Sequence, residues 1–252
     1  MAQSSAQEKS IIAGTSNHNI AECYVPVQNL SAYIQKLIAN DPSCVEMRVL
    51  GFQISDEDMQ AIAYALTENK TLRALSLDHL QIADSGAKHL AQGLCYNESI
   101  TYLSLRWNEI GNEGGTALAD ILHYNNTLKN MNLSFNNFGR ATGQAFAAAI
   151  IKNTALETLD LKWNNLDDET GDTLLEAMSE NKGNLETLLL GGNGSSLRNT
   201  RKGANTGNKA SRMALSKRFL SSRKDKKFED TTISLGLFFK FNIFLLFFLV
   251  YF

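Results

Sequence analysis

Cysteine is scarce in this chain of 252 residues, and its three copies, Cys23, Cys44 and Cys95, are too few and too scattered for a disulfide framework or a four-ligand zinc site. They read as reduced core residues. The short signatures of common chemistries are also missing: there is no H-E-x-x-H, no G-x-x-x-x-G-K-[ST] phosphate loop and no C-x-x-C pair. Met1 to Asn17 is rich in Ser, Ala and Gln and lacks the apolar run of a secretory signal, so a cytoplasmic protein is expected. Together these absences point away from a metal, a cofactor or a small-molecule substrate, and away from an enzyme.

What the chain has is an ordinary apolar fraction of 44%, enough for a core, and a divided charge. Residues 1–194 carry 12 Lys and Arg against 23 Asp and Glu, whereas residues 195–252 carry 12 against 3. An acidic body with a basic tail suits two different partners, or contact between the two parts, or plain solvated surface.

The body repeats itself with a period of 28. Ile100, Leu103, Leu105, Asn108 and Ile110 are followed by Leu128, Met131, Leu133, Asn136 and Phe138, then by Leu156, Leu159, Leu161, Asn164 and Leu166. One extra residue intervenes before Leu185, Leu188, Leu190 and Asn193. Counting backward gives Leu72, Leu75, Leu77, Leu80 and Ile82, then Cys44, Met47, Val49, Phe52 and Ile54. The alternating half of each unit reads as a short strand, and the half with apolar residues three and four apart, such as Leu118 and Leu122, as an amphipathic helix. One unit cannot bury its own apolar faces, but stacked units merge them into one core, with parallel strands inside an arc and helices outside. The recurrent Asn108, Asn136, Asn164 and Asn193 are expected to turn inward onto backbone groups left unpaired at the strand-to-helix turn. Phe52 and Leu80 stand in their place in the first two units and predict a looser, more apolar turn there. The sequon Asn97-Glu98-Ser99 falls at a repeat position expected to be structural.

The spacing L-x-x-L-x-L-x-x-N-x-I-G and the helix ending in N-x-T-L resemble the ribonuclease-inhibitor type of leucine-rich repeat, a type found also in NOD-like receptors and the Ran GTPase-activating protein. The resemblance covers about 150 residues. It implies an α/β solenoid, with a curved parallel sheet inside and helices outside, and it serves unrelated partners.

The expected organisation is a disordered segment 1–29, a capping helix in 30–43, six repeats in 44–194, a basic polar linker 195–234 with a short helix near Ala210 to Leu220, and an apolar tail 235–252. In the capping helix, Ile34 and Ile38 stand 28 residues before Ile62 and Leu66. The tail follows Arg223, Lys224, Lys226 and Lys227 in the manner of a membrane anchor. It is marginal in length, and Lys240 near its centre would cost about 2.5 to 3.5 kcal/mol. A buried helix and the translation of A/T-rich non-coding sequence are the other readings.

Function is sought on the strand face. The column just before the repeat Asn reads Gly51, His79, Trp107, Phe135, Trp163 and Gly192, so four consecutive units present a ring. Beside it run Asp78, Arg106, Ser134 and Lys162, and Tyr102 adds another ring. Exposed Trp, Tyr and Arg dominate protein interfaces, so His79, Tyr102, Arg106, Trp107, Phe135, Lys162 and Trp163 form the expected partner-binding rim. The competing reading is that the rings pack on each other and brace the turn. His79 and His89 lie in different halves of one unit, so no paired metal site follows. Asp167, Asp168 and Glu169 read as a charged helix start and Arg140 as surface.

The expected function is a protein-interaction scaffold. A GTPase activator of the Ran type, which single-turnover GTPase kinetics would test, is the alternative that the resemblance allows. A further alternative tethers the arc to anionic membrane through residues 195–252, where eleven basic residues between Arg198 and Lys227 face one acidic residue. Nucleic acid is disfavoured because the aromatic interleaving of a single-strand binder is missing.

Overall fold

A computed structural model describes residues 24–194. The linker 195–234, the tail 235–252 and most of the segment expected to be disordered lie outside the described residues. Seven strands form one parallel sheet in chain order: β1 (Tyr24–Pro26), β2 (Glu46–Leu50), β3 (Ala74–Ser76), β4 (Tyr102–Ser104), β5 (Asn130–Asn132), β6 (Thr158–Asp160) and β7 (Thr187–Leu189). Between them lie α1 (Leu30–Ile38), α2 (Asp56–Glu68), α3 (Asp84–Leu94), α4 (Asn112–Asp120), α5 (Arg140–Lys152) and α6 (Asp168–Glu180). From β2 onward the register follows the sequence period, with Arg48 opposite Ser76, Ser76 opposite Ser104 and, after the one-residue insertion, Asp160 opposite Leu189. This is a leucine-rich-repeat solenoid of α/β class.

Burial explains the repeat. Leu75, Leu103, Met131 and Leu159 sit mid-strand and are excluded from water together with Leu77, Leu105, Leu133 and Leu161, and each helix adds its own stripe, such as Leu90 and Leu94 or Phe146 and Ile150. The helices pack pairwise with their neighbours along the chain. Helices need about 8–10 Å between axes and paired strands about 4.8 Å, so such a stack bends toward its strands. Gly93 lets α3 approach α2, because a Cβ there would strike the backbone of Ala63.

Local signals fix the helix starts. Ser55 accepts from Asp58 N–H at 3.1 Å, and Asp167 accepts from Thr170 N–H at 2.8 Å, which makes the acidic run the helix start expected of it. Two other starts are capped by the preceding unit. Asp84 Oδ1 accepts from Gly111 and Gly114 N–H at 2.8 and 2.7 Å, and Asn112 Oδ1 accepts from Gly139 N–H at 2.9 Å.

Two rows of asparagine run through the stack. In the expected row, Asn108 Oδ1 accepts from Leu80 and Ile82 N–H while its Nδ2 donates to Leu77 and Leu105 carbonyls. Asn136, Asn164 and Asn193 repeat the pattern. The second row, Asn69, Asn97, Asn125, Asn153 and Asn181, follows the helices. Asn125 Nδ2 donates to Leu94 and Asn97 carbonyls, and its Oδ1 accepts from Thr127 and Leu128 N–H, tying three units together. Asn97 is 2% exposed and fully engaged, as its structural reading requires.

Three expectations at the N-terminal end are corrected. Residues 24–29, placed in a disordered segment, form β1 and a turn of 3-10 helix (Val27–Asn29), so α1 belongs to a unit with its own strand. That strand escaped notice because Tyr24 pairs with Arg48 at a spacing of 24 and only Val25 of the three residues is buried. Within α1 the buried residues are Leu30, Ile34 and Leu37, whereas Ile38 is exposed: Asn69 donates to the Leu37 carbonyl as Asn97 does to Leu66, a slip of one position. The two substitutes for the turn asparagine also differ. Leu80 is fully buried and Phe52 is 71% exposed, so only the third strand's turn is apolar inside.

Candidate functional site

The residue before each turn Asn has to reverse the strand without losing its last hydrogen bond, and it does so in the left-handed region. His79, Trp107, Phe135 and Trp163 have φ of 61°, 59°, 59° and 55°. Each keeps its N–H on the neighbouring unit, donating to Arg106, Ser134, Lys162 and Gly191 carbonyls just past the next strand at 2.9–3.1 Å. For a residue with a Cβ this conformation costs about 1–2 kcal/mol. Stacking supplies a gain of the same order, about 0.5–1.5 kcal/mol per ring pair. The rings do stack: His79 on Trp107 at 5.4 Å, Trp107 on Phe135 at 3.8 Å and Phe135 on Trp163 at 5.6 Å, with interplanar angles of 9–13°. Trp163 lies over Gly192, where a Cβ would stand 2.7 Å from its Cε3 and where φ is +79°.

The ladder is half-open to solvent: His79 is exposed, and Trp107, Phe135 and Trp163 are half-buried. The rings therefore pack on each other, as the bracing reading holds, and still present surface along the rim.

A polar cluster runs beside the ladder on the sheet. Asp78 Oδ1 accepts from Ser104 Oγ at 2.6 Å and from Arg106 N–H at 3.0 Å. Asp160 accepts from Lys162 N–H at 3.0 Å and pairs with its Nζ at 3.5 Å. Burial holds both carboxyls above the ordinary carboxylate range, and the charge of Arg106 acts on both in the opposite sense. Partial desolvation, with Trp107 stacked against one face of the ring, holds the imidazole of the otherwise exposed His79 below its ordinary pKa. Burial, then the charge of Asp78, raises that of Tyr102. Ser134 fills the column between Arg106 and Lys162, its Oγ on Asn132 Oδ1 at 2.8 Å.

Of the seven expected rim residues, the structure gathers His79, Trp107, Phe135 and Trp163 into one stack and places Arg106 and Lys162 alongside. Tyr102 stands at the start of β4 and belongs electrostatically to the Asp78–Arg106 cluster. Asp78 stands in the column beside the rings and Asp160 two residues before Lys162; neither is among the expected rim residues, and their signal was a carboxylate beside Arg106 and beside Lys162. Tyr24, with the Arg48 guanidinium 5.8 Å over its ring, was hidden with β1. Among the described residues no group of three or more His, Cys, Asp or Glu could hold a metal ion, and no helix is long and apolar enough to cross a membrane.

A family model described as a leucine-rich repeat matches residues 96–119 and 152–174. No curated protein sequence matches the chain. Among solved structures, the chain is similar to one titled leiomodin-1 actin-binding site 2, with a TM-score of 0.47 and 20% identity over 81% of this chain and 97% of that one. It is also similar to the tropomodulin C-terminal domain of Caenorhabditis elegans, with a TM-score of 0.47 and 16% identity over 60% of this chain and 92% of that one.

Proposed function

We propose that the array is a protein-interaction scaffold that holds a protein partner on its concave strand face, centred on the ladder His79, Trp107, Phe135 and Trp163 and on the charges of Arg106 and Lys162. The observation that carries the reading is the stack itself: four planar side chains, packed on one another and partly exposed, beside the Asp78 carboxylate held by Ser104 and Arg106 N–H and the Asp160–Lys162 pair. Rings already packed in place lose little entropy on binding, and truncating a Trp or Arg at an interface hot spot costs about 2 kcal/mol or more. The 28-residue period supports the ribonuclease-inhibitor type as the architecture of this scaffold.

The test compares two double variants in affinity capture. Trp107→Ala with Trp163→Ala should lose the captured partner while keeping a cooperative urea transition. Tyr96→Ala with Tyr124→Ala, which removes two exposed rings from the helical side, should retain it. Capture that survives the tryptophan changes would sink the reading. Loss of the cooperative transition would instead make the ladder a brace alone.

A further inference from the structure

The ring column has a missing rung. Extending the β1–β2 register places Val27 opposite Gly51, so the column reads Val27, Gly51, His79, Trp107, Phe135, Trp163, Gly192. Its side chains lean toward the next unit: a Cβ on Gly51 would strike Val27 Cγ2, just as one on Gly192 would meet the Trp163 ring. The side chain that Gly51 lacks is therefore the one that would lie against His79. One face of the His79 imidazole is covered by Trp107. Its other face looks onto a depression lined by Tyr24, Arg48, Leu50, Gly51, Asp78 and His79.

We propose that this depression receives one neutral aromatic side chain with a polar hydrogen, a tryptophan or a tyrosine of a protein partner, which stacks on His79 as the fifth ring and donates its N–H or O–H to the Asp78 carboxylate. The assignment deepens the strand-face reading and rests on it. Three features of the lining select the occupant. A planar group is needed to continue a column of parallel rings. A partner guanidinium, although planar and able to pair with Asp78, would also meet the like charge of Arg48, whereas a neutral ring donates to Asp78 without that repulsion and offers Arg48 an electron-rich face. An aliphatic side chain would cover the Asp78 carboxylate without giving it a donor. Asp78 is half-buried, and burial already disfavours its charge, so an added donor there acts on a group short of solvation.

The experiment titrates the isotope-labelled full chain with N-acetyl-tryptophanamide and follows the Gly51 amide and His79 ring signals by NMR. N-acetyl-argininamide and N-acetyl-leucinamide serve as comparators. Saturable ring-current shifts at both positions are expected with the tryptophan probe, at least tenfold weaker binding of both comparators, and at least tenfold weaker binding of the tryptophan probe in His79→Asn, whose side chain tolerates the left-handed backbone. Unmoved signals, equal binding of the arginine probe, or full binding by the variant would overturn the proposal. The probe acts without the partner, so the two readings fail separately. If capture depends on Trp107 and Trp163 while the probe leaves Gly51 and His79 unmoved, the missing-rung assignment falls and the strand-face reading stands. The reverse result overturns the strand-face reading and, with it, the assignment of the occupant to a protein partner.

Discussion

Trp107 holds a backbone conformation that favours glycine, and two substitutions separate what its ring and its Cβ contribute. Trp107→Ala loses the stack but must keep φ near +59°, whereas Trp107→Gly loses the stack and relieves the strain. The Gly variant should therefore be the more stable of the two by about 1 kcal/mol, read from urea midpoints; equal midpoints would mean that the turn relaxes away from the left-handed region. His79 gives a prediction in pH. Its pKa is lowered by partial desolvation, so its contribution is present above the unfolded value near 6.5 and is lost as pH falls through the lowered folded value. Asp78 and Asp160 have raised values and act oppositely: they favour the fold at acid pH and lose that contribution as pH rises through their raised values. Between pH 7 and 5.5, urea midpoints of the wild type should fall more steeply than those of His79→Asn. Parallel slopes would show that His79 does not titrate differently in the folded chain.

The asparagine rows act at the level of the element, because each side chain satisfies backbone groups of neighbouring units. Asn125→Ala would strand the Leu94 and Asn97 carbonyls and the Thr127 and Leu128 amides in the core, at a cost on the order of 3 kcal/mol. Asn112→Ala, which removes a part-buried cap from the next helix, should cost about 1 kcal/mol. Chemical denaturation of the two variants should separate them clearly; similar losses would mean that water reaches the row of Asn125. These elements also show what was legible in the sequence. The leucine and asparagine spacing specified six strands and their register, since burial repeats with the residue pattern. The ring column was legible as adjacency, because register converts a 28-residue period into neighbouring side chains. Its left-handed backbone was not, since nothing in the identity of a Trp announces the sign of φ. β1 was hidden because its unit is shortened to 24 residues and offers one buried side chain, Val25, to mark it.

At the scale of the molecule, each unit is stabilised by its neighbours, so the ends of the array are where stability is decided. Deleting residues 1–29 removes β1 and buried Val25 and leaves β2 as the sheet edge. The loss should be roughly 2 kcal/mol, which lowers Tm by about 5 °C in a chain of this size; an unchanged Tm would mean that the first strand adds nothing to the stack. The same nearest-neighbour packing has a mechanical consequence. The strands lie side by side, so tension applied between residues 24 and 194 loads one interface at a time rather than shearing the sheet as a whole. Under such a pull the array should lengthen in small successive steps, one unit peeling from the next, and shorten again from whichever units remain folded as a template. An array of this construction is a compliant spring whose give is set by the weakest junction between units.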